Sequence, residues 1–206
     1  PLVGGSLALL GYGPGYRLTP EGPAAGAPPW PEAVRWESGA SGDVRLSLDR
    51  AGTLDVGAAG KGHLVDLVWD LVTGRGYASV VVDAGSDMRH SGPAGLRVAL
   101  GHPYDSTRAI GVVSLQGRAL CASATNRRAW GEGLHHVLDA STGLPVKAVA
   151  ATWVLARNAL TADGLATALF LTDPSALAAE FEFDYVRMFS DGRAEYSPAM
   201  AGVLFS

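Results

Sequence analysis

Asp163 and Thr167 stand four residues apart in TADGLAT (161–167), so on a helix they share one face. A carboxylate beside a hydroxyl suits a hard cation such as Mg²⁺, which prefers oxygen ligands and leaves waters or phosphate oxygens in the rest of its shell. The plainer alternative is a carboxylate that serves the first turn of a helix as a dipole partner. Ala162, Gly164, Leu165 and Ala166 surround that aspartate, and a carboxylate buried in so apolar a stretch needs a partner.

A second candidate lies in LDVGAAGKGHLVDLVWDLV (54–72), where a glycine-rich turn with one lysine runs into an apolar, helix-period segment. A nucleotide-hydrolysing loop requires G-x-x-x-x-G-K-[ST]. Counting back from Gly60-Lys61, the first glycine falls on Asp55, and Gly62 follows the lysine in place of Ser or Thr, so that motif fails at two positions. The G-x-G-x-x-G dinucleotide fingerprint does not occur either. What remains is a turn of small residues at a helix N-terminus, where the dipole favours anions and Lys61 adds a point charge. A tight strand-to-helix connection with an exposed lysine fits the same residues.

HHVLDASTGLP (135–145) offers a third. His136 could donate to a phosphate or act as a general base, whereas two surface histidines and an Asx turn at Asp139 would need no ligand. Neighbouring side chains on a strand point to opposite faces, so at most one of the two histidines serves a site. DAGSDMRHSG (83–92) ends a predicted strand with a glycine turn and two carboxylates, and ATNRRAW (124–130) carries Arg127 and Arg128, a residue type that pairs well with phosphate; a plain tight turn and a surface arginine pair fit the same residues equally. With no H-x-x-x-H or C-x-x-C pair a zinc site is not expected, and with no G-x-S-x-G neither is a hydrolase nucleophile elbow.

These residues must be held by regular elements. Leu64, Val65, Val68, Trp69 and Val72 recur at helical spacing over 61–73, and residues 160–172 do the same with Thr161 as an N-cap. Pro174 opens a further short helix. Strands are expected at 44–48, where apolar and polar residues alternate, at 54–56, at 78–83 as a buried strand, and at 96–101, 110–116, 119–125 and 149–156, with a closing hairpin around Asp191-Gly192. Residues 13–33 read as a Pro/Gly/Ala-rich loop. Strands outnumber interspersed helices, which predicts an α+β class.

The 206 residues are 48% hydrophobic, enough for one sizeable core, so 1–206 is expected to be a single domain. A formal net charge of −4 argues against a nucleic-acid partner. The one cysteine, Cys121, excludes an internal disulfide and leaves the redox compartment open. No stretch has the roughly 18 consecutive apolar residues of a membrane span.

Taken in order, the segments resemble one family. DVGAAGKGHLVD (55–66) is similar to the D-[LV]-G-[GA]-x-[AG]-K-G-x-x-x-D segment of the ApbE-like flavin transferases, the FAD:protein FMN transferases. DAGSDM (83–88) resembles that family's N-x-G-G-D-[IM], HVLDASTGLPV (136–146) its H-[IV]-[LI]-[DN]-P-x-T-G-x-P-V, and TADGLATALF (161–170) its [TA]-A-D-[AG]-x-A-T-A-x-F. LLGYGPG (9–15) is similar to L-W-G-F-G. This chain departs with Ala140 for proline, Ser86 for the second glycine and Leu10 for an aromatic residue expected to face the flavin.

The resemblance implies an ApbE-like α+β fold whose N-terminal segment lies upstream of Pro1. It implies FAD as substrate, Mg²⁺ as cofactor, and a target protein whose Thr or Ser hydroxyl receives FMN as AMP leaves. Asp163, Thr167 and the Ala58 carbonyl would hold the metal. Asp55, Lys61, His136, Val137, Leu10 and Gly11 would contact FAD, and His136 would polarise or deprotonate the incoming hydroxyl. The same residues would also suit an FAD carrier, or a Mg²⁺-dependent FAD pyrophosphatase that uses water. Relatives are often exported and membrane-tethered, which leaves the compartment of this chain open.

Overall fold

The structure, a computed structural model, describes residues 2–205. In chain order its first elements are α1 (Gly4–Leu9), α2 (Trp30–Ala33), β1 (Val34–Ser38), β2 (Val44–Leu48), α3 (Gly60–Thr73), β3 (Val80–Asp83), β4 (Asp87–Ser91), β5 (Leu96–Gly101), β6 (Ala109–Leu115) and β7 (Ala119–Ala124). There follow β8 (Ala129–Trp130), β9 (Leu134–His135), β10 (Leu138–Asp139), β11 (Leu144–Pro145), β12 (Val149–Ala156), α4 (Ala159–Ala168), α5 (Pro174–Ala178), β13 (Asp184–Phe189) and β14 (Ala194–Tyr196). The class is α+β, as the sequence predicts. The chain divides into two compact units, one of residues 1–56 and 128–146, the other of 57–127 and 147–206.

The second unit is built on a six-stranded antiparallel sheet in the order β14-β13-β12-β7-β4-β3. Strand β12 is VAATWVLA with every residue buried, because it is central and covered on both faces. Val154 and Ala156 meet α3 and α4 through Val65, Ala162, Leu165, Ala166 and Leu169. Ala151, Trp153 and Leu155 meet Leu100, Val113 and Leu115 of the β5–β6 hairpin on the other side. A strand buried on both faces reads as a continuous apolar run, and this is why 149–156 is so legible. In α3, Val65 is buried, but Leu64 and Val68 of the predicted apolar face are exposed together with Leu67 and Leu71.

The first unit is smaller and rich in short elements. Val3, Leu7, Leu10, Trp130 and Leu138 form its core. Its β1–β2 ribbon pairs Trp36 with Leu46. The expected half-buried strand at 44–48 is present but mostly exposed, since a two-stranded ribbon has no second layer of its own.

Several local expectations differ. Residues 54–56 are not a strand, because they pair with no neighbour. Strand β4 occupies part of the expected turn at 83–92, and α1, α2 and β1 lie in segments too short or too Gly/Pro-rich to show a period. The N-cap of α4 is Asn158, whose side chain accepts from the Thr161 backbone N–H, and not Thr161 itself. Among the described residues no helix is long and apolar enough to cross a membrane.

Candidate functional site

The candidate residues divide between the units. Ala58, Lys61, Asp163 and Thr167 belong to the second, and Leu10, Gly11, Asp55, His136 and Val137 to the first.

In the second unit the site grows from the crossing of two helix N-termini. α3 has no side-chain cap of its own at Ala59. Its Gly62 N–H instead donates to Oδ2 of Asp163 at 2.8 Å, and the accepting residue is only 4% exposed. The reverse bond also exists. Asp66, one turn further along α3, accepts from the Ala159 N–H with Oδ1 at 2.9 Å and from the Leu160 N–H with Oδ2 at 2.8 Å. Each helix therefore supplies a carboxylate to the unsatisfied N–H groups of the other. The helices cross closely because residue 62 is glycine: a Cβ there would sit 2.2 Å from the Ala159 carbonyl oxygen. Ala59, the last residue of the turn before α3, lies against α4, its Cβ 3.8 Å from where a Cβ on Gly164 would be.

Lys61 is not a free surface lysine. Its Nζ lies 2.7 Å from Asp87 Oδ2 and donates to Ser86 Oγ, tying α3 to the start of β4. Asp87 is fully buried, and the ion pair with Lys61 compensates its charge. The nearby Cys121 thiol is pushed far up, first by burial and then by the charges of Asp87 and Asp163, which keeps it an inert thiol.

The donor set fits Mg²⁺ by its chemistry: a buried carboxylate, a hydroxyl one helical turn away and a turn carbonyl at Ala58 are all hard oxygen donors. Among the described residues no three His, Cys, Asp or Glu side chains gather into a cage. Mg²⁺ commonly binds through one or two carboxylates plus substrate phosphates and waters, so the sparse set is the expected kind.

In the first unit the two histidines have different situations. His135 is occupied by backbone, with Nε2 2.9 Å from the Val146 oxygen and Nδ1 accepting from the Val137 N–H. His136 has a buried Nδ1 with no well-aligned hydrogen bond. Burial, and then the positive charge of Arg128, lowers its pKa from 6.5 to about 4, against smaller opposing pulls from the Arg128 backbone and then from Asp55. The imidazole is therefore neutral at pH 7 and can accept a hydrogen bond there. Val137 is buried, and so is Leu10, whose carbonyl accepts from Trp130 Nε1 at 2.8 Å. Gly11 takes φ 98°, with the Thr19 backbone 2.5 Å from where a Cβ would lie. A cavity of about 230 Å³ in this unit is lined by Ser6, Leu9, Gly26, Ala33, Leu48 and Thr53 among others, but by none of the candidate residues.

The depressed pKa of His136 makes stability depend on pH. Between pH 6.5 and about 4 the unfolded chain binds a proton at this site and the folded chain does not, so stability falls as pH falls through that window. At pH 4.5 the loss is roughly 2.4 kcal/mol relative to pH 7. Urea unfolding at the two pH values should show His136→Gln losing less stability on acidification than the wild type, by about that amount. Equal losses would mean that His136 titrates normally.

Gly62, Asp66 and Asp87 contribute to the site although the residue patterns alone did not single them out. Asp66 carried a signal, as a carboxylate among apolar residues in the first half of an amphipathic helix. Gly62 and Asp87 carried none beyond membership of glycine-containing turns.

Comparison with known proteins matches the ApbE family to residues 6–186. The FAD:protein FMN transferase of Rhodobacter capsulatus is 32% identical over 171 residues, covering 78% of this chain and 32% of its own length. That of Treponema pallidum is 30% identical over 182 residues, covering 77% of this chain and 49% of its own. The chain spans about a third to a half of the length of the curated relatives it matches. Among solved structures, the ApbE protein of Thermotoga maritima superposes with a TM-score of 0.81 at 22% identity, over 100% of this chain and 72% of its own. The flavin transferase ApbE of Vibrio cholerae gives 0.73 at 23%, over 98% and 70%. These two likenesses bear out the ApbE-like α+β fold. With the family match running through most of the sequence and its solved members sharing the architecture, the chain belongs to the ApbE family.

Proposed function

We propose that residues 1–206 act as a Mg²⁺-dependent flavin-transferase domain that moves the FMN moiety of FAD to a Thr or Ser hydroxyl of a target protein. The acceptor oxygen forms a bond to the phosphorus of the FMN half, the P–O–P bond breaks, and AMP leaves. The single observation that carries this reading is Asp163, a nearly fully buried carboxylate at the crossing of two helix N-termini, in a chain whose curated relatives are named FAD:protein FMN transferases.

Asp163, Thr167 and the Ala58 carbonyl are the proposed metal donors. Bound there, Mg²⁺ would neutralise pyrophosphate charge and act as a Lewis acid. Lys61, anchored by Asp87 and Ser86, presents a fixed positive charge at the start of α3, where the helix dipole also favours a phosphate. Neutral His136 is suited to accept a hydrogen bond from the acceptor hydroxyl, and Asp55 stabilises the imidazolium if the proton is taken. Leu10, Gly11 and Val137 are the proposed contacts to the rest of FAD.

The test is to incubate the chain with FAD and Mg²⁺, with and without a peptide bearing an acceptor threonine, and to follow AMP and the acceptor's mass. Both AMP and an FMN-mass adduct should appear, and EDTA should abolish both. AMP without an adduct, at the same rate with and without peptide, would identify a pyrophosphatase. Intact bound FAD would identify a carrier.

A further inference from the structure

Asp66 and Arg89 take no part in the chemistry just described, yet they converge on the helix that carries Asp163 and Thr167. Asp66 is 9% exposed. Its two oxygens accept from the first two backbone N–H groups of α4, at Ala159 and Leu160. Asn158 satisfies the third, at Thr161. The exposed start of a helix that usually bonds to water is thus closed by protein groups from two elements.

Arg89, on β4, donates to Asp66 Oδ1 at 2.7 Å, and its guanidinium lies 3.8 Å above the Trp69 ring on α3. β4 and α3 therefore hold the carboxylate between them. Asp66 lies one turn after Gly62 on α3, and Asp163 lies one turn after Ala159 on α4. The bonds from residue 66 to 159 and from 62 to 163 are successive rungs of one antiparallel crossing. A shift of α4 along its axis would stretch both rungs together.

We propose that Asp66, braced by Arg89, is a positioning residue that sets the height of α4 against α3 and so the place of the Asp163 carboxylate and Thr167 hydroxyl as cation donors. This rests on the metal reading above. Removing the negative charge of Asp66 leaves two helix-terminal N–H groups with a weaker partner and Arg89 with only the more distant Asp70, 4.0 Å away, as counter-ion. α4 can then slide by a fraction of an ångström, which a small, near-octahedral cation tolerates poorly.

The probe is Mn²⁺, titrated into the full chain in the presence of FAD and followed by its EPR signal. Asp66→Asn should remain folded by circular dichroism and weaken Mn²⁺ binding about tenfold. Arg89→Lys, which keeps the charge but loses the planar fork, should weaken it less. In an Asp163→Asn background, Asp66→Asn should cause a smaller further loss than it does alone, because part of the effect passes through Asp163 and the rest through Thr167. Wild-type affinity in both Asp66→Asn and Arg89→Lys, with only a lower Tm, would overturn the proposal while leaving the metal reading intact. Absence of Mn²⁺ binding by the wild type would overturn the metal reading and this inference with it. If Asp66→Asn does not fold, Arg89→Lys decides between the same outcomes.

Discussion

Asp163→Asn should lower Mg²⁺-dependent AMP release from FAD by about a hundredfold or more while leaving the fold in place. A hundredfold corresponds to roughly 3 kcal/mol of lost transition-state stabilisation, which is what removing one anionic ligand from a catalytic cation can cost. The asparagine keeps the shape of the side chain and an amide oxygen that can accept from the Gly62 N–H, so the crossing of α3 and α4 survives. Asp163→Ala differs on this second count. It removes the proposed cation ligand and also leaves the buried Gly62 N–H without its acceptor, a further cost of about 1–3 kcal/mol in stability. Activity assays and thermal melts on the two variants separate the roles. Wild-type AMP release from Asp163→Asn would reduce Asp163 to a cross-helix cap.

Gly62→Ala should be the most destabilising single-methyl change in the second unit. In an ordinary helix a Gly→Ala change stabilises by up to about 1 kcal/mol, through the unfolded chain's lost freedom. Here the added Cβ would meet the Ala159 oxygen at 2.2 Å, the Ala159 carbonyl carbon at 2.7 Å and Asp163 Cβ at 2.7 Å. Two of the three atoms are backbone, so no rotamer change relieves the contact and the helices must part. Parting them stretches the Gly62–Asp163 bond and both bonds to Asp66, which are on the same crossing. The net cost is about 3 kcal/mol, or roughly 6–12 °C in Tm for a chain of this size. Gly5→Ala is the control. That glycine is also helical, but a Cβ there meets nothing within 4 Å, so the change should be neutral or slightly stabilising. A Gly62→Ala protein as stable as the wild type would mean that the crossing is looser than its geometry indicates.

The family and the two principal helices were legible from residue types and order because each rests on short-range information. The 3.6-residue period of 160–172 and the apolar run of 149–156, interrupted only by Thr152, report which side chains leave water, and α4 and β12 form there. The same signal misled at Leu64 and Val68, apolar at helical spacing but exposed, because a period identifies a face without saying what covers it. The sequence pattern points to Thr161 as the cap of α4, whereas Asn158 caps it, because the extended backbone that makes a cap is not a property of residue type.

The sequence by itself determined the α+β class, the order of the motifs and the presence of oxygen donors one helical turn apart. Only the tertiary structure decided what those groups bond to. Asp163 meets an N–H 101 residues away and Asp66 one 93 residues away. The partner of Lys61 is the buried Asp87, and hydrogen bonding separates His135, both of whose ring nitrogens bond to backbone, from His136. Hydrophobic spacing is a local property of a chain, whereas a hydrogen bond between two helix ends depends on how closely they cross, and at Gly62 that distance depends on the absence of a single methyl group.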